Sequence, residues 1–191
     1  MPFLASLPAD ATLLAILART PAAAAALLDF HEAVMRGPSP LTPAQREMIA
    51  AYVSGLNACR YCHGVHEATA RAFGMEAGVL DALLADADSA PVDDRLRPVL
   101  RYVRRLTLEP ARTVPHDVEA ILAAGWEEQA VLDAAAVCGL FSLMNRLVEG
   151  AGVRASEAYM SMAGTRLRGG GYAALKSLLP PPEKGGGQAE D

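Results

Sequence analysis

The chain is poor in aromatic residues, in cysteine and in positive charge, and each shortage narrows what it can be. Aromatics make up 5% of its 191 residues although 52% are hydrophobic. The apolar content is therefore carried by small and aliphatic side chains, which suits packed helices better than sheets. Seventeen Lys and Arg against 22 Asp and Glu leave a net charge of −5, which disfavours nucleic acid as a partner. The first basic side chain is Arg19, so no charged n-region of a secretory signal is visible. The longest apolar stretch, 131–144, is interrupted by Asp133 and too short for a membrane span, so it reads as a buried helix. Three cysteines are too few for a disulfide framework. These features predict a cytoplasmic chain with free thiols that binds neither nucleic acid nor membrane.

What is present is helical spacing almost throughout, with no convincing alternating strand pattern. The expected fold class is all-α. A short first helix runs from about Asp10 to Arg19, and Pro21 opens a second that reaches Met35. Gly37-Pro38-Ser39-Pro40 is a break, after which Thr42-Pro43-Ala44-Gln45 carries a capping-box signature. The third helix shows apolar residues at Met48, Ile49, Tyr52, Val53 and Leu56, predicting one buried face. A turn near 55–58 leaves Cys59 opening a fourth helix that ends near Gly74. Further helices are predicted at 75–86, 94–108, 115–124, 127–149 and 155–167. Residues 1–179 form one domain, and the Pro-, Gly- and charge-rich segment 180–191 is a disordered tail. Residues 51–56 align with 135–140 at an offset of 84, and Gln45 falls on Gln129, which suggests an internal duplication with a degenerate second copy at about 127–153.

Chemistry concentrates in Glu47-x11-Cys59-x2-Cys62-x3-His66. A CxxC dithiol closes a small disulfide ring and suits reversible redox work. On a helix His66 shares a face with Cys62 and can take its proton. The positive end of the helix favours a thiolate at Cys59 or Cys62. Glu47 has no cation three or four residues away, only Pro43, Ala44, Ala50 and Ala51, so it is read as a partly buried carboxylate with raised proton affinity that orients or deprotonates the imidazole. The i,i+4 relation favours Cys62 as attacking thiol and Cys59 as resolving thiol. The greater exposure of a helix-opening first cysteine favours the reverse. Tyr52, Val53 and Leu56 are candidates to line an apolar pocket.

This pattern resembles the signature of the AhpD-like alkylhydroperoxidases within the carboxymuconolactone decarboxylase family. Segments 49–57 and 141–150 are similar to its peroxidase-related branch. The resemblance is specific over about 40–75, looser over 127–153 and weak elsewhere. It implies an AhpD-like helical bundle, internally duplicated and assembled into trimers or hexamers. It implies a peroxiredoxin-type peroxidase that reduces organic hydroperoxides or hydrogen peroxide. Cys62 would be peroxidatic, Cys59 resolving, and Glu47 and His66 the proton relay. No metal or organic cofactor is required, but an external thiol reductant is. Some family members carry a second histidine between the cysteines, whereas this chain has Tyr61 there and His63 just after.

Four other readings compete, one of them an interaction protein whose buried thiols are inert. Two thiolates and His66 could bind zinc with Cys138, His31, His63 or His116 as fourth ligand. The dithiol could act on protein thiols as an oxidoreductase or sensor. The scaffold could also serve a lactone decarboxylase. Cys138 reads as a buried structural thiol, and His31 and His116 as structural or surface residues. Arg97, Arg101, Arg104 and Arg105 form a solvated or inter-subunit stripe. Asn145 and Arg146 are expected to make buried polar contacts that join two halves or two subunits.

Overall fold

Helix α3 (Pro43–Leu56) is the centre of the molecule, and its sequence explains how it starts and stops. In the computed structural model, which describes residues 1–181, Thr42 caps this helix. The Thr42 side chain accepts from the Gln45 N–H while Gln45 accepts from the Thr42 N–H. Pro43 fills the first position, where no amide proton is needed. The helix ends at Asn57, and Ala58 takes a positive φ of 56°, the one non-glycine described residue to do so. That conformation costs an L-residue about 1 kcal/mol. It lets the chain turn and restart at once as α4 (Arg60–Ala72), which packs against α3.

Around this pair lie α1 (Leu13–Leu17), α2 (Pro21–Arg36), α5 (Val79–Ala85), α6 (Arg97–Leu108), α7 (Pro115–Ala123), α8 (Glu128–Ala151) and α9 (Glu157–Gly170). Short 3-10 turns occupy Pro110–Arg112 and Ala173–Leu178. No strand occurs among the described residues, so the fold is all-α. The tail expected at 180–191 lies outside the described residues from position 182 onward.

Two expectations change. The predicted helix at 75–86 begins only at Val79, because Gly74 and Gly78 both adopt positive φ and interrupt the helix. Helix α3 was expected to bury one face. Instead Arg46, Glu47, Ile49, Ala50, Ala51, Tyr52, Val53 and Ser54 are all buried, and Met48 and Leu56 only partly so. The cause is its surroundings: α2, α4, α5, α6 and α8 all contact it.

Helix α8 is the other central element. By length and composition it could cross a membrane. Its apolar positions are used in the core, where Val137, Leu140, Phe141, Met144 and Val148 are buried. Helix α9 lies on α4 through Gly164, where a Cβ would come within 2.7 Å of the Ala68 methyl.

Candidate active site

The turn after α3 sets the thiols. The Cys59 N–H bonds the Ser54 carbonyl at 2.9 Å, and the Cys59 carbonyl accepts the first turn of α4 from His63. Cys59 is thus the N-cap of α4, and Cys62 sits one turn inside it. Both are free thiols, 0% and 3% exposed. His66 follows Cys62 by four residues on the same helix and is also buried.

Glu47, fully buried on α3, joins three partners that the sequence scatters over 137 positions. One oxygen lies 2.7 Å from His66 Nδ1. The other accepts from Arg36 Nη2 at 2.6 Å and from the Tyr172 hydroxyl at 2.9 Å. The Tyr172 hydroxyl is also 3.4 Å from His66 Nδ1. Arg36 stacks over the rings of Tyr172 and Phe73, and its Nη2 also donates to the Leu167 carbonyl.

This corrects the expectation for Glu47, which is neither without a cation nor raised in proton affinity. Burial alone would push its carboxyl up, but the hydrogen bonds and charges of His66 and Arg36 outweigh burial and hold it below the usual range. Its cation comes from α2 rather than from its own helix. An anionic Glu47 accepting from Nδ1–H leaves His66 Nε2 as the free base.

The thiols divide the charge between them. Cys59 is lowered from the ordinary thiol value, first by a hydrogen bond from the Cys62 side chain, against burial, and with help from the Cys62 backbone N–H. Cys62 is raised well above that value, first by its bond to Cys59 and then by burial. Asn145 of α8 hydrogen-bonds Cys62 and so favours its thiolate. Asn145 also donates to Ser54 Oγ at 3.0 Å and accepts from Asn57 Nδ2 at 2.9 Å.

A cavity of about 60 Å³ opens onto Cys62 and His66. Leu13, Leu28, Phe141 and Met144 make much of it apolar, and Tyr61, Tyr159 and Tyr172 edge it. Tyr61 donates to the Tyr159 hydroxyl at 2.9 Å and accepts from the Leu13 N–H, which ties α1 and α9 to the motif helix. Tyr52, Val53 and Leu56 do not line this cavity; they pack in the core instead.

His31 is placed differently from expectation. It lies inside α2, lines the cavity, stacks on Tyr172 at 5.2 Å and bonds the Leu27 carbonyl. Burial pulls it down to about 4, so it is neutral at pH 7. No spacing signal links His31, Arg36 or Tyr172 to the motif. The one hint was Gly169-Gly170-Gly171 ahead of a short apolar segment.

The remaining candidates fall outside the site. His63 turns away to the Ala51 carbonyl and Glu67. Cys138 is buried against Thr107, and burial raises its proton affinity. His116 is exposed beside Glu119. Arg97 is spent on the carbonyls of Ala87, Asp88 and Ala90, while Arg101 and Arg105 pair with Asp88 and Asp117. Of Asn145 and Arg146 only the first is buried. Arg146 is exposed and bonds the Ser142 carbonyl of its own helix, because at position 146 helix α8 faces away from α3. No three His, Cys, Asp or Glu side chains gather as metal ligands among the described residues.

Residues 21–105 match the model of the carboxymuconolactone decarboxylase family. Two solved structures are similar. One is an alkylhydroperoxidase AhpD core, an uncharacterized peroxidase-related protein from Ralstonia eutropha, at 28% identity and a TM-score of 0.71 over 78% of this chain and 77% of that one. The other is an uncharacterized peroxidase-related protein from Silicibacter, at 28% identity and a TM-score of 0.72 over 78% of each chain. No curated protein matches.

Proposed function

We propose that this chain, which belongs to the carboxymuconolactone decarboxylase family and is AhpD-like, is a thiol-dependent peroxidase for organic hydroperoxides. The observation that carries the reading is the cavity wall. One apolar hollow is lined by both a cysteine of the CxxC pair and the histidine whose other nitrogen is committed to a buried carboxylate.

In the proposed cycle His66 Nε2 takes the Cys62 proton, and the thiolate attacks the distal peroxide oxygen. The O–O bond breaks, the sulfur becomes a sulfenic acid, and the proton returns from His66 to the leaving alkoxide, which departs as an alcohol. The Cys59 thiol then condenses with the sulfenic acid, releasing water and forming the Cys59–Cys62 disulfide. An external thiol reductant restores the dithiol. No metal or organic cofactor enters the cycle. Glu47 keeps Nδ1 protonated and offsets the imidazolium charge. By family likeness the working form is a homo-oligomer, a trimer or hexamer.

A second order of attack has a specific observation in its favour. In the resting pair the negative charge is better held on Cys59, at the start of α4, than on Cys62. Access and the proton acceptor favour Cys62, because Cys59 does not line the cavity. The test is consumption of cumene hydroperoxide under dithiothreitol by wild type, Cys62→Ser and Cys59→Ser. Loss in both variants, with a trapped sulfenic acid on Cys62 in Cys59→Ser, supports the reading. Equal slow consumption by all three overturns it.

A further inference from the structure

We propose that Tyr172 is a positioning residue of the relay, delivered by a C-terminal strap that Glu32 clips onto α2. The inference rests on the peroxidase reading for what the relay does, but not for its geometry.

The strap begins where α9 ends. Gly171 adopts φ +65°, and a Cβ there would fall 2.6 Å from Glu32 Oε2, so this turn is open only to glycine. The next two amides, of Tyr172 and Ala173, both donate to Glu32 Oε2, at 2.7 and 3.0 Å. Lys176 pairs with Asp29 one helical turn earlier on α2. The 3-10 turn Ala173–Leu178 is thereby laid along α2, and Leu175 joins the cavity wall. These contacts drive the Tyr172 ring inward between His31 and Arg36 until its hydroxyl meets Glu47.

The hydroxyl has a definite task there. Oε1 of Glu47 takes two donors, Arg36 and Tyr172, which leaves Oε2 to His66. A buried carboxylate loses proton affinity with each donor it accepts. Removing the Tyr172 donor makes the Glu47 carboxyl easier to protonate, and a protonated Glu47 no longer holds Nδ1–H and so no longer keeps Nε2 turned to the thiol proton. The other groups facing the pair are Arg36 and His31 from α2, Arg46 from α3, Cys59 and Cys62 from α4 and, at the edges, Glu149 of α8 and Arg166 of α9. None of them changes in Tyr172→Phe. The phenyl ring also retains the packing against His31 and Arg36.

The experiment follows the rate of Cys62 alkylation by iodoacetamide against pH, read by peptide mass, in full-length wild type, Tyr172→Phe, Glu32→Ala and Glu47→Gln. Tyr172→Phe should shift the acidic limb upward by about one pH unit. Glu32→Ala, which releases the strap by its clip, should shift it in the same direction, and Glu47→Gln, which removes the carboxylate itself, should shift it furthest. An acidic limb unmoved in Tyr172→Phe, with Glu47→Gln still shifting it, would leave Tyr172 a packing residue and overturn the proposal. A shift in Tyr172→Phe but none in Glu32→Ala would overturn the delivery by the strap. Cumene hydroperoxide turnover in the same proteins separates the two ideas. A limb shifted in Tyr172→Phe while wild type shows no turnover contradicts the peroxidase reading alone, and wild-type turnover with no shift in Tyr172→Phe contradicts the Tyr172 proposal alone.

Discussion

Helices α3 and α8 carry similar six-residue segments, at 51–56 and 135–140, yet the chain does opposite things immediately after them. After Leu56 it turns through Asn57 and a left-handed Ala58, so that a new helix opens at Cys59. After Leu140 it runs on without a break to Ala151. The break creates a helix N-terminus, with its unpaired N–H groups and positive dipole end, at the place where a thiolate needs stabilising. The continuous helix has no such end. At the offset of the repeat its counterparts to Cys59 and Cys62 are Leu143 and Arg146, both exposed, whereas the cysteines are buried. What α8 contributes is Asn145, which reaches across to Ser54, Asn57 and Cys62. One segment leads into the dithiol that the proposed cycle uses, and the other packs a polar side chain against it.

The sharpest way to break that comparison is at its reactive end. Cys62→Ser should lower hydroperoxide turnover by about a hundredfold or more, read as kcat/KM, because no other thiol lines the cavity. Next in size is Arg36→Ala. It leaves the fully buried Glu47 without its cation and should cost about 3 kcal/mol in denaturant unfolding.

Acid should act through two groups. His31 has a folded value near 4 against an ordinary 6.5, so the unfolded chain binds its proton first. The stability His31 contributes is complete above pH 6.5 and lost as the pH falls towards about 4. Glu47, also lowered, contributes stability above the ordinary carboxylate range that is lost further down, as pH falls through its folded value. His31→Phe should therefore flatten the upper part of the acid limb of midpoint against pH and leave the lower part.

Asn145→Ala strips Ser54 and Asn57 of a shared partner and should cost about 2 kcal/mol in the same unfolding measurement. The smallest effect is expected at the repeat's counterpart of Cys62. Arg146→Ala should stay within about 0.5 kcal/mol of wild type, because the side chain is exposed and bonds only its own helix. A large loss there would mean that α8 carries more than scaffold.

The parts of the site legible in sequence were those fixed by short spacing. Cys62 and His66 are four apart on a helix that opens at a cysteine, and the Thr42-Pro43 cap set the register of α3, so the separation to Glu47 could be read. The parts that were not legible depend on tertiary contacts with no local trace. Glu47 looked cation-free because its helical neighbours are alanines and a proline, while its real partner, Arg36, is supplied by the preceding helix across the Pro38–Pro40 break. Tyr172 lies 125 residues from the carboxylate it bonds. His31 read as a structural or surface residue, yet it stacks on Tyr172 and lines the cavity, contacts with no trace in its spacing. Patterning identified α8 as a buried helix, but it could not tell that Asn145 would face inward and its neighbour Arg146 outward, a difference of one residue's rotation about the helix.

The central claim is that the dithiol beside the Glu47–His66 pair is the group that peroxide oxidises. The most direct measurement is the mass of reduced wild-type protein after one equivalent of cumene hydroperoxide, with peptide mapping under non-reducing conditions. The account predicts loss of two hydrogens, release of cumyl alcohol, and a single intrapeptide bridge between Cys59 and Cys62 with Cys138 still reduced. Both thiols recovered free with the hydroperoxide intact, or oxidation falling on Cys138 or methionine instead, would contradict it.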